Sequence, residues 1–136
     1  MISFTIAGKP KPLKRHRVSK NGRMYDPSHG DKKGMWLQIA RFKPKAPLKG
    51  DIMIKMIFTM PRPKSHFRTG KYKHILKDDM PEFHSSTPDL DNLVKFLLDT
   101  VQGKDRIIYD DSQVCMLQAE KVYGFAGKTE VIIEEI

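Results

Sequence analysis

Two short stretches of this sequence hold residues that could do hydrolytic chemistry on a phosphodiester. The first reads Pro88-Asp89-Leu90-Asp91-Asn92-Leu93-Val94-Lys95 and places two carboxylates either side of an apolar residue, with an ammonium four residues after the second. The second reads Ile107-Ile108-Tyr109-Asp110-Asp111-Ser112-Gln113-Val114 and adds two more carboxylates. Each piece has an ordinary structural use. An Asp ahead of an apolar helical run caps the helix, Asp91 and Lys95 make a surface ion pair at i, i+4, and Asp-Asp makes a turn.

Taken together they imply more. If the Asp110–Asp111 turn folds back onto the start of the helix, three or four carboxylates converge. Two unit charges at about 4 Å repel by roughly 1 kcal/mol in water and about 4 kcal/mol near a protein surface. A cluster of three therefore needs protons or a hard cation. An oxygen-only set with open positions suits Mg²⁺, with Mn²⁺ also possible. Such a cation polarises a scissile phosphodiester and acidifies a bound water. Lys95 could offset transition-state charge, hold a non-bridging oxygen or orient the attacking water.

The elements that must position these groups are legible in part. Leu90, Leu93, Val94, Leu97, Leu98 and Val101 form one apolar stripe, which predicts a helix over residues 89–103 ended by Gly103. Trp36, Ile39 and Ala40 predict a shorter helix over about 31–43, stopped by Pro44 and Pro47. Alternation at Ile2, Phe4 and Ile6 predicts a half-buried strand, and the Ile/Met-rich run 51–60 predicts a central one. Further strands are expected over 113–123 and 128–136. Asn21-Gly22 predicts a two-residue turn joining arms 15–20 and 23–26. Residues 61–87 lack periodicity and read as a mobile loop with a helical turn near 72–77. The expectation is one α+β domain over residues 1–136, with a small mixed or antiparallel sheet and two helices. A chain this short would gain burial by dimerising.

Charge points to the partner. Lys and Arg number 25 against 16 Asp and Glu, for a net charge of +9. Residues 8–25 hold seven cations and no acid, among them Lys14, Arg15, Arg17, Lys20 and Arg23. Residues 61–77 hold six more, including Arg62, Lys64, Arg68, Lys71 and Lys73, again with no acid. Such windows supply sequence-independent affinity for phosphates, so a nucleic acid is the expected partner. The lone Cys115 excludes an intramolecular disulfide, and its apolar neighbours predict a buried, inert thiol. The five histidines show no i, i+4 pair for zinc, and His84 reads as a solvent-exposed loop residue. No apolar run approaches the roughly 20 residues that span a bilayer, and the start does not read as a signal peptide. A cytoplasmic protein without a membrane or small-molecule partner is expected.

The motif Asp89-Leu90-Asp91-Asn92-Leu93-x-Lys95, followed by Tyr109-Asp110-Asp111-x-x-Val114, resembles the RusA family of bacterial and prophage Holliday-junction resolvases. The opening Gly8-Lys9-Pro10-Lys11-Pro12 and the basic hairpin fit the same resemblance. It implies a homodimeric Mg²⁺-dependent endodeoxyribonuclease that resolves four-way DNA junctions by paired nicks, in DNA recombination and repair. The implied metal carboxylates are Asp89, Asp91 and Asp111, with Lys95 essential and Asp110 a ligand or neighbour of one. The segment 61–87 looks longer than in compact members, as an added junction-binding arm would. Two other readings remain open. One is a non-catalytic basic nucleic-acid-binding module whose aspartates are caps and turns. The other is a nuclease for flaps or other branched DNA.

Overall fold

The computed structural model describes residues 1–14 and 17–136 and shows an α+β architecture. Six strands run Ile2–Ala7 (β1), Arg17–Val18 (β2), Met24–Tyr25 (β3), Ile52–Pro61 (β4), Val114–Gly124 (β5) and Lys128–Glu135 (β6). Two α-helices run His29–Ile39 (α1) and Leu90–Val101 (α2). The main sheet has the order β1-β6-β4-β5 and is mixed, with β4–β6 and β1–β6 antiparallel and β4–β5 parallel.

The helices lie where the apolar patterns need them. Ile52, Ile54, Met56 and Phe58 of β4 are all buried, at the alternate positions that share one side of a strand. They join Phe4, Ile6, Val131 and Ile133 from the other strands and Leu93, Val94, Leu97 and Val101 from α2 in one core. α1 contributes Ile39 and packs against α2. Lys32 on α1 ties the two helices by an ion pair to Asp99 on α2 at 3.2 Å and also grips Asp26 at 2.6 Å. Burial alone would lower its pKa, but the hydrogen bonds to Asp26 and Asp99 win and hold it above the usual lysine range.

Several details differ from the sequence expectations, for identifiable reasons. The basic hairpin closes with Ser19 N–H to Arg23 O and Gly22 N–H to Ser19 O, a three-residue loop with Gly22 at φ +77°. One positive-φ residue suffices for that turn, so Asn21 need not adopt it. Arg15 and His16 lie outside the described residues.

Residues 62–87 are folded rather than loose. Short 3₁₀ turns form at Lys64–His66 and Gly70–Tyr72, ahead of the turn expected near 72–77. Phe67 bridges to Leu76, and Phe83 bridges to Val122 of β5. Cys115 is exposed, not buried. β5 is the sheet's edge, so apolar neighbours in sequence do not enclose the thiol.

Candidate active site

Topology decides where the aspartates go. β4 and β5 are parallel neighbours, so the chain leaving β4 must return along the sheet before β5 can start. α2 makes that return. It therefore begins beside the far end of β5 and finishes beside the start of β5. Contacts at both ends fix this. The Lys121 ammonium on β5 donates to the carbonyls of Ser86 and Pro88, just before α2, at 2.5 Å each. At the other end, Ile107 and Ile108 N–H both donate to Val101 O.

Asp89 and Asp91 stand at the first end. Asp89 occupies the N-cap position with φ −69° and ψ 141°, yet its side chain makes no capping hydrogen bond. The usual structural use of an Asp there is thus not taken up. Asp91, in the first turn, pairs with Lys95 at 3.7 Å, and both side chains are well exposed, at 68% and 60%. An exposed pair this long contributes little to stability, so these groups are free to act on something outside the chain. The basic N-terminal segment runs past the same place. Leu13 N–H donates to Asn92 O, and Lys14 N–H donates to the buried Ser28 hydroxyl.

Asp110 and Asp111 stand at the other end, and their roles divide. Asp110 caps the 3₁₀ turn Asp111–Gln113, accepting from Ser112 N–H at 3.0 Å. The Ser112 side chain first, and then this backbone N–H, hold its carboxyl below the usual range. Asp111 is held by its backbone, whose N–H donates to the Gln102 carboxamide oxygen at 2.8 Å. Among the described residues its carboxylate has no hydrogen-bond or ion-pair partner, as is true of Asp89.

The convergence expected from sequence is not made within one chain. α2 has 12 residues, hence a length of about 18 Å at 1.5 Å per residue. Along β5, the seven steps from Val114 to Lys121 give about 23 Å at 3.3 Å each. Both measures put Asp89 and Asp91 a helix length away from Asp111. Accordingly, no group of three Asp, Glu, His or Cys that could hold a metal ion forms among the described residues. The turn folds onto the end of the helix instead of its start because the return crossover leaves it nowhere else to go.

Three supporting residues carried no sequence signal of their own. Gln113 occupies an unspecified place in the second motif, but its carboxamide oxygen accepts from Tyr109 and Asp110 N–H while its NH₂ donates to Leu48 and Gly50 carbonyls. It thereby fastens the Asp110–Asp111 turn to the segment entering β4. Gln102 spans from Asp99 to Asp111. Lys121 fastens the chain entering α2.

The cations of segment 61–77 differ in availability. Lys64, Lys71 and Lys73 are exposed, whereas Arg68 pairs with Asp78 at 3.6 Å. Arg62 is engaged within the fold, donating to Pro81 O and lying 5.2 Å from the Tyr123 ring centroid. The rings of His66 and His84 meet Tyr123 edge-on, both at 4.8 Å. His84 is half-buried, not solvent-exposed. Its backbone N–H pairs with Lys121 O, which draws the ring against the sheet, and its Nδ1 is buried without a hydrogen-bond partner among the described residues. Burial first, then the charge of Lys121, lowers its pKa. Among the described residues, no helix is long and apolar enough to cross a membrane.

The family model for endodeoxyribonuclease RusA matches residues 7–134. A crossover junction endodeoxyribonuclease from Lactococcus phage r1t is 29% identical over 120 residues, covering 88% of this chain and 83% of that protein.

Proposed function

The chain belongs to the RusA family of endodeoxyribonucleases, and from that premise we propose that it resolves four-way DNA junctions as a Mg²⁺-dependent homodimer. The observation that carries the reading is the pair of unengaged carboxylates, Asp89 and Asp111, at opposite ends of α2. A two-fold dimer with its α2 helices side by side and antiparallel sets each helix start against the partner's helix end. Each metal site then draws Asp89 and Asp91 from one protomer and Asp111 from the other. The donors are hard oxygens on exposed carboxylates, which fits Mg²⁺ or Mn²⁺.

When bound, the cation supplies Lewis-acid activation of the phosphodiester and an acidified water. The chain supplies the rest. Lys95, beside Asp91, presents its ammonium to the negative charge that grows on the phosphate during cleavage. Lys14, Arg17, Lys20 and Arg23, all exposed, and Lys64, Lys71 and Lys73 grip flanking phosphates and set the register of the strand. Two sites related by the dimer axis face two symmetry-related strands, as paired nicking requires.

The test is cleavage of a four-way junction, a flap and a linear duplex with Mg²⁺, for wild type and Asp91→Asn. Paired nicks in the junction, lost in Asp91→Asn, support the reading. Faster cutting of the flap replaces junction resolution with flap or branched-DNA cleavage. Tight, salt-sensitive binding with no cleavage by wild type replaces it with a binding module.

A further inference from the structure

We propose that Phe125, in the turn between β5 and β6, stacks against an unpaired base at the branch point of the DNA. This rests on the junction-cutting reading above. Phe125 is 83% exposed, the apolar side chain most given up to solvent together with the terminal Met1 among the described residues. An isolated exposed apolar residue needs no explanation. This one has a built setting. Its ring lies 6.1 Å from that of Phe67, at 38° between planes, and Phe67 is itself anchored by its bridge to Leu76. Phe125 also borders a depression of about 500 Å³ on the sheet's other side chains, lined by Ile57, Thr59 and Val122, with Lys128 and its ion-pair partner Glu130 at the edge.

An aromatic face beside an apolar floor, with cations around it, is how proteins hold an unpaired base without reading its identity. The exposed Lys64 and Lys71, three residues before and four after Phe67, favour a polyanion over an apolar protein partner. Arg62 backbone N–H holds Gly124 O at the base of the turn. A branch point offers suitable bases, because those next to the crossover have lost a stacking neighbour and cost less to extrude. Position fits as well. Lys121 touches Pro88, next to Asp89, and Phe125 lies four residues further along, a span of about 13 Å. A base held at the turn would therefore sit on the same end of the sheet as Asp89 and Asp91.

The test measures binding without added metal, so that no strand is cut, to a four-way junction and to a linear duplex of the same sequence. A 5-iododeoxyuridine at the branch point adds a photocrosslinking readout. Phe125→Ala is expected to weaken junction binding about tenfold, with little change for the duplex, and to abolish the crosslink. Phe125→Trp restores both, whereas Phe125→Leu, which keeps apolar bulk, restores neither. Wild type that binds junction and duplex alike overturns the junction reading and this proposal with it. A wild-type preference retained in Phe125→Ala, or fully restored by Phe125→Leu, overturns the stacking role alone.

Discussion

At the scale of single residues, neighbours in sequence do different work. Asp110 spends its carboxylate on Ser112 N–H, while Asp111 keeps its own free. Asp110→Ala should lower the melting temperature and leave cleavage within a few-fold of wild type. Asp111→Asn should leave the melting temperature almost unchanged and cut Mg²⁺-dependent cleavage by about 100-fold or more, since even indirect supports of a metal site are worth 10- to 100-fold. Melting curves and single-turnover cleavage on the two variants check this, and equal losses in both would contradict the division.

His84 gives a pH prediction. Burial and Lys121 hold its folded pKa below 6.5. As pH falls through about 6.5 the unfolded chain takes up a proton that the folded chain refuses. The unfolded state then binds more protons, so stability falls as pH drops below that point and is unaffected by this group above it. Melting temperatures of wild type from pH 7.5 to 5 should decline more steeply than those of His84→Gln. Parallel curves would show that His84 does not contribute.

At the scale of elements, the site depends on how α2 is fastened at each end. Gln113 makes four hydrogen bonds with one carboxamide. Gln113→Ala leaves two backbone N–H groups and two carbonyls to find other partners, and should cost about 1–3 kcal/mol of stability. Cleavage should fall with it, because the turn that carries Asp111 loses its attachment to the chain entering β4. Chemical denaturation measures the first effect, and a change below about 0.5 kcal/mol, within the range of an ordinary surface substitution, would count against it.

These elements also show what the sequence could reveal. α2 was legible because six apolar residues recur at helical spacing and all face one core. β4 was legible because a central strand reads as a nearly continuous apolar run, broken here only by Lys55 and Thr59 before its closing Pro61. β5 was placed to within a residue, but its position at the edge was not legible. Edge position follows from strand order, which depends on contacts distant in sequence, and it decides that Cys115 is exposed. Segment 62–87 looked formless because its order comes from pairing with β5 and from the packing around Tyr123, neither of which leaves a periodic signature.

At the scale of the whole molecule, the motif residues were found in sequence but their assembly was not. Charge repulsion argues that clustered carboxylates need a cation, yet it does not say which carboxylates come together. The parallel pairing of β4 and β5 answers part of that question, since it forces α2 to run the length of the sheet and separates Asp89 from Asp111. A helix about 18 Å long cannot be shortened to close a site. In the proposed dimer, a second protomer with the reverse orientation would close two sites at once, and that is the central claim.

Mixed dimers test it most directly. Asp91→Asn and Asp111→Asn homodimers should each be inactive on a four-way junction with Mg²⁺. Co-expression of the two variants, each with a different tag and purified through both, yields dimers with one copy of each. In a site shared between protomers, one of the two sites then carries both substitutions and the other carries none. The account predicts that the mixed dimer regains nicking at one strand, without paired cutting. A mixed dimer as inactive as its two parents would contradict it.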